Sequence, residues 1–210
     1  AYRYKSWNGS FGRSDIHTAY GAFVDKRINW KAPKTNYEYR FRTGLAKYQA
    51  EELSTETLGN LWRASIFNTL DISHTIYKVK SNPLRVKELS PYSIAPIEPG
   101  LLWKTNLNSS FFHYEDGSSQ SSLGISLGPQ LTLGNFQRPF LDFTKISIMP
   151  GYTIKGGESP FRFDSVVDLQ RLSFQLTQQV LGPLVLSGIY DINIDQSSGQ
   201  YGKTLNSNLA

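Results

Sequence analysis

Side chains that take, give or hold a charge are scattered thinly here. His17, His74 and His113 lie in different segments with no common spacing. A metal or catalytic cluster would need the fold to gather them, so surface or interface histidines are expected. No Gly-x-Ser-x-Gly elbow, Walker loop or His-Glu-x-x-His occurs. Ser159 stands between Glu158 and Pro160 and is no nucleophile elbow. Asp164, Asp191 and Asp195 are acid–base candidates by type, but an acidic pair on one strand face reads more simply as the lining of a polar channel. With no cysteine, disulfides, thiolate metal sites and thiol redox chemistry are excluded. These residues predict no enzyme, no cofactor and no metal site.

The basic residues are more suggestive. Arg40 and Arg42 are two apart and share a face in any strand. With Lys104 they are candidates for holding phosphate or carboxylate groups of a lipid head group or solute. Solvation, or pairing with Asp25 and Glu38, is the structural alternative. Up to Thr105 the chain has 16 basic and 9 acidic residues; beyond it 6 and 8, within a formal net charge of +5. Such a basic half attracts phosphates. No recognition helix or RNA-binding strand pattern accompanies it, so nucleic acid is not an expected partner.

The elements that position these residues show a period of two. Leu123, Ile125, Leu127, Leu131 and Leu133 alternate with small polar residues. So do Leu101, Trp103, Leu107 and Phe111 against Lys104, Asn106 and Asn108, and Leu172, Phe174, Leu176 and Val180 against Ser173, Gln175, Thr177 and Gln179. Tyr37, Tyr39 and Phe41 face away from Glu38, Arg40 and Arg42. Turn signals separate the runs, among them Ala32-Pro33, Leu58-Gly59-Asn60, Glu115-Asp116-Gly117, Gly134-Asn135 and Gly182-Pro183. Four of the ten prolines fall between Ser81 and Gly100, which predicts an extended loop over 81–100. No helix is predicted; Glu51–Thr57 most simply caps a hairpin.

The expected fold is all-β: an antiparallel transmembrane β-barrel, or a large part of one, with about nine or ten long strands. No apolar run reaches the roughly 18–20 residues of a spanning helix. Aromatics near the run ends, including Trp7, Trp30, Trp62, Trp103, Phe112, Tyr114 and Tyr152, are expected to form interfacial girdles. A soluble β-sandwich or small barrel would also alternate, but the second face is rich in Ser, Thr, Gln, Asn and Gly, which suits a hydrated lumen. Residues 1–210 read as one barrel region. Ala1–Lys5 has no apolar core of a signal peptide, so a mature or excised piece is expected. The end, Thr204–Ala210, lacks a terminal aromatic, so truncation is expected there.

Three motifs, Arg138-Pro139-Phe140-Leu141-Asp142-Phe143-Thr144, Gly156-Gly157-Glu158-Ser159-Pro160-Phe161-Arg162-Phe163-Asp164 and Leu176-Thr177-Gln178-Gln179-Val180-Leu181-Gly182-Pro183, resemble in order and spacing a cyanobacterial outer-membrane family that is itself similar to the lipopolysaccharide-assembly protein LptD. The resemblance implies an integral outer-membrane protein that takes part in lipopolysaccharide transport to the outer leaflet. It implies outer-membrane lipid and lipopolysaccharide, and periplasmic lipid-bridge proteins, as partners. A porin-like solute channel is the alternative with the same fold, and a soluble binding module the alternative without it. The motif residues Arg138, Pro139, Asp142, Gly156, Gly157, Glu158, Pro160, Asp164, Gln178, Gln179, Gly182 and Pro183 are expected to be structural: Gly156-Gly157 as a tight turn, Pro160 as a strand-edge stop, Asp164 as a turn cap.

Overall fold

The computed structural model describes residues 2–8, 13–51, 58–79, 97, 99–161, 169–196 and 201–210. Ten strands follow in chain order: β1 (Tyr2–Asn8), β2 (Arg13–Ala32), β3 (Thr35–Glu51), β4 (Leu58–Lys78), β5 (Gly100–Tyr114), β6 (Ser119–Leu133), β7 (Thr144–Gly157), β8 (Leu169–Leu181), β9 (Leu184–Asn193) and β10 (Thr204–Leu209). They form one antiparallel sheet in sequence order, β1 at one edge and β10 at the other, open in this structure and compatible with a barrel or part of one. No helix occurs among the described residues. β4 runs 21 residues and β2 20, against about 5–6 in an ordinary globular strand.

Turn chemistry fixes the hairpins. Lys34 adopts φ 63° beside Pro33 between β2 and β3. Between β5 and β6 the Asp116 carboxylate accepts the Ser118 amide at 2.9 Å, and Gly117 takes φ 85°. The β3–β4 register runs unbroken from Thr35↔His74 to Glu51↔Leu58. Gly59 and Asn60, expected in a turn, therefore lie inside β4; pairing with Ala50 and Gln49 overrides their turn preference. Between β6 and β7 the ladder lapses: Ser126↔Gly151 and Gln130↔Ser147 are paired, while Leu127–Pro129 and Ile148–Pro150 between them are not. Pro129 and Pro150 have no amide to donate.

Burial is inverted relative to a soluble sheet. Leu123, Ile125, Leu131 and Leu133 of β6 are exposed, whereas Gln120, Ser126, Gln130 and Thr132 are buried. β7–β9 repeat this, with Ser147, Ser173, Gln179, Asp191 and Asn193 buried and Ile146, Ile148, Phe174 and Leu176 exposed. No helix or second sheet covers the polar side among the described residues. Glu38 of β3, Asp71 of β4, Lys104 of β5, Ser147 of β7 and Gln175 of β8 line one hollow on that side, so the sheet curls and its polar side chains crowd one another on a concave inner face.

Aromatic rows cross the outer face near its two ends. Tyr20, Lys47 and Trp62 are register partners; the Tyr20 and Trp62 rings meet edge-on at 5.8 Å, and the Lys47 ammonium lies over Trp62. Ten residues along β3, Trp30 stacks on its partner Tyr37 at 5.0 Å. Phe112 and Tyr114 do not join these rows. They point inward, 5% and 1% exposed, and form an apolar cluster with Ala50 and Phe161 on the inner face. The reason is parity: Phe111 and His113 hold the outward positions of that stretch, so their neighbours must turn in.

Candidate functional site on the inner face

Three register rows build the middle of the inner face. Arg27, Arg40, Thr69, Asn108 and Gly124 form one, Asn29, Glu38, Asp71, Asn106 and Ser126 the next, and Lys31, Asn36, Ser73, Lys104 and Gly128 the third. An acidic row is thus flanked by two basic rows. Arg40 and Arg42 share the face, as their spacing predicts, and converge on Asp25 of β2. Arg40 Nε donates to Asp25 Oδ1 at 2.9 Å and Arg42 Nη2 to Oδ2 at 2.8 Å; Arg40 Nη2 also donates to Oδ2. One carboxylate serves two guanidiniums, so one positive charge is left over. Both arginines remain 41% exposed, so their outer edges stay open to another anion. Glu38 pairs with Arg27 at 3.0 Å instead of with these arginines.

Lys104 shares this face but not this cluster. It borders a hollow of about 380 Å³ with Glu38, Asp71, Asn106, Ser147 and Gln175. Asn106 Nδ2 donates to Asp71 at 2.7 Å, and Asn108 Nδ2 donates to Asn106 at 3.2 Å. The three cations expected to act together are thus divided by the acidic row. The surface suits ligands with several alternating polar groups better than a single anion.

The first and third motifs meet at one end of the sheet. Gln179 is wholly buried. Its Oε1 accepts the Asp142 amide at 2.9 Å, and its Nε2 donates to the carbonyls of Arg138 (3.0 Å) and Gly182 (2.8 Å). Asp142 caps the amides of Gln137 and Arg138 at 2.8 and 3.2 Å, and Gly182 N donates to Pro139 O. Gln178 receives the Thr144 hydroxyl at 2.6 Å, and Pro183 completes the β8–β9 turn at Gly182, φ 54°. One amide side chain thus fastens the β6–β7 loop to that turn. Gln179→Leu, similar in size but without these bonds, takes the partner from the half-buried Asp142 amide, the Arg138 carbonyl and the buried Gly182 carbonyl. We expect a loss of about 2–3 kcal/mol, read as a lower urea midpoint in detergent micelles, with Val180→Ala as the exposed control.

The second motif lies at the other end. Gly156 and Gly157 are not a tight hairpin turn: they finish β7, Gly157 at φ 71°, because Glu158 N still bonds Ser119 O. Pro160 lies beyond that end, in the segment that carries Phe161 inward. Ser159 Oγ donates to Tyr114 Oη at 2.8 Å and accepts the Phe161 amide at 3.0 Å. Phe161 is wholly buried, its ring 6.0 Å from Tyr114 and 6.4 Å from Tyr48. Asp164 lies outside the described residues, as do most of the 81–100 loop and residues 52–57.

His74 Nδ1 lies 2.8 Å from Thr35 Oγ1, and His113 is exposed on the outer face; His17 is paired with Tyr4 in β1–β2. No metal-holding group occurs among the described residues. Asp191 is buried inward, its Oδ2 3.5 Å from Asn206 Nδ2, and Asp195 follows the strand. Sequence reasoning missed Arg63. It is 8% exposed, with its guanidinium 4.1 Å from the Tyr48 ring centroid and 4.8 Å from that of Phe112. The alternation of Trp62 and Ala64 about it was the available signal that it points inward.

A family model described as protein of unknown function (DUF3769) matches residues 1–210. No curated protein and no solved structure matches the chain.

Proposed function

We propose that this chain, which belongs to the DUF3769 family, spans the outer membrane as a β-barrel or part of one and takes part in moving lipopolysaccharide to the outer leaflet. The inverted burial carries the reading. Water does not favour a sheet that displays Leu, Ile, Phe and Tyr while burying Ser, Gln and Asp; a bilayer around a hydrated interior does. The aromatic rows support it quantitatively. Ten residues separate Tyr37 from Lys47, a span of about 33 Å that becomes roughly 25 Å of height at a 40° tilt, the height of an outer-membrane apolar band. Lys26 breaks this band, four residues from Trp30, and its long stem lets the ammonium reach toward that boundary.

Lipopolysaccharide handling rests on the resemblance of the three motifs to the LptD-like family and on the alternating polar inner face, which suits a sugar chain carrying phosphates. Outer-membrane lipid and periplasmic lipid-bridge proteins are the partners of this reading. Depletion in the native cell is expected to lower surface lipopolysaccharide while small-solute uptake persists. Unchanged surface lipopolysaccharide would sink the assignment.

The leftover positive charge at Arg40 and Arg42 favours a second reading, a solute channel. In planar bilayers, Asp25→Asn should then raise the anion-to-cation permeability ratio about twofold at low salt, an effect fading at high salt. A protein that does not conduct, or whose ion preference is unmoved, excludes the channel.

A further inference from the structure

The outer face is not uniformly apolar between its aromatic rows. Ile66 and Phe111 are register partners in one row, and Asn68 and Ser109 in the next. Across the β5–β6 boundary the sizes reverse: Phe111 faces Ser121, and Ser109 faces Leu123, whose own partner is Ile154. Large and small residues thus cross, leaving a diagonal trough of about 400 Å³. Ile66 and Phe111 wall one side, Leu123 and Ile154 the other. Phe111 and Leu123 stand one strand and two residues apart, a diagonal of about 7–8 Å. That width takes a hydrocarbon chain and not the 10–12 Å cylinder of a helix.

The floor is polar and holds a short hydrogen-bonded chain and one separate bond. Tyr39 Oη donates to Asn68 Oδ1 at 2.7 Å, Asn68 Nδ2 donates to Ser109 Oγ at 3.2 Å, and Ser121 Oγ donates to the Gly156 carbonyl at 3.4 Å. This series uses one of the two Asn68 N–H donors. The other, and the Ser109 hydroxyl proton, meet no acceptor among the described residues. Asn68 lies six residues from Trp62 and four from Ile72 along β4, between the aromatic rows. At hydrocarbon depth, a donor without an acceptor is costly.

We propose that this trough binds the acyl chain of a membrane lipid that carries a hydroxyl or acyloxy oxygen part-way along its length. The methylenes lie between the apolar walls, and the oxygen accepts from Asn68 and Ser109. The proposal rests on the membrane-spanning reading. A plain chain would fill the walls and leave the donors bare, so the trough selects substituted chains.

The test uses the protein in phosphatidylcholine vesicles doped with one of two photoreactive lipids, identical but for a mid-chain hydroxyl on the diazirine-bearing acyl chain. Labelled residues are mapped by mass spectrometry. Labelling of Ile66, Phe111, Leu123 and Ile154 is expected to be about fivefold greater with the hydroxylated lipid, the ratio one net hydrogen bond supplies. Leu172 and Phe174, outward on β8, should take both lipids equally. Ser121→Phe, which fills the trough, and Asn68→Leu, which strips its floor, should each erase the excess. Equal labelling by the two lipids, or an excess that survives both variants, overturns the trough alone. Absence of label on every outer-face residue overturns the trough together with the membrane reading.

Discussion

Ile125→Arg is expected to abolish stable assembly in a bilayer. Ile125 points outward from the centre of β6, in the register row of Leu107 and Tyr152. An arginine at the bilayer midplane of a barrel costs about 2–4 kcal/mol, a large share of a marginal stability. On a water-washed sheet the same change would be close to neutral. Gln175→Arg on β8 supplies the matched control, because Gln175 points inward and is exposed to the interior. Heat-modifiable migration and the urea midpoint after refolding into lipid vesicles read the difference. Ile125→Arg should lose the folded band, while Gln175→Arg keeps it. If both variants fold alike, the assignment of the two faces is wrong.

Phe161→Ala should cost about 3–5 kcal/mol, the range for deleting a buried phenyl ring. The ring is wholly buried among Tyr114, Tyr48, Phe112 and Ala50, and its segment leaves the sheet before turning back in, so the surroundings close over a void poorly. Phe161→Leu should recover more than half of the loss, because the remaining deficit is one of shape. Ser159→Ala, which removes the bonds of Ser159 Oγ to the Tyr114 hydroxyl and the Phe161 amide, should cost about 1–3 kcal/mol. Equilibrium urea unfolding in micelles ranks the three. A Phe161→Ala protein as stable as the parent would show that the cluster contributes no packing there. Because this cluster occupies one end of the inner face, the same variant should also raise bilayer conductance if the interior conducts.

What the sequence discloses follows from the period of a strand. Parity alone sorts Leu123, Ile125 and Leu131 from Ser126 and Gln130, and it places Arg40 and Arg42 side by side. Parity also corrects the aromatic assignment: adjacent Phe111 and Phe112 cannot both face outward, so Phe112 and Tyr114 serve the interior and not a girdle. Partner choice is a different matter. That Asp25 holds both arginines while Glu38 turns to Arg27 depends on the β2–β3 register, which the Pro33-Lys34 turn sets and alternation does not. The hold of Gln179 on the loop between β6 and β7 depends on contacts about 40 residues apart in the chain. The three motifs are legible as motifs, but their division between opposite ends of the sheet depends on how β7 and β8 pair.

The pause in pairing around Pro129 and Pro150 has a consequence for fidelity. Sliding β7 against β6 by one residue would turn every side chain to the wrong face, which chemistry forbids. Sliding it by two would preserve both faces, so the inside–outside pattern is blind to that error. The prolines are not. In the native alignment, the two positions without an amide donor fall in a single three-residue gap. Shifted by two in one direction, Pro150 would face Ile125 and Pro129 would face Ile146, and two separate interruptions would open in the ladder. Shifted by two the other way, the prolines would face each other in one gap. The two rings thus act as a one-sided vernier, penalising one of the two alignments that the polarity code treats as the same.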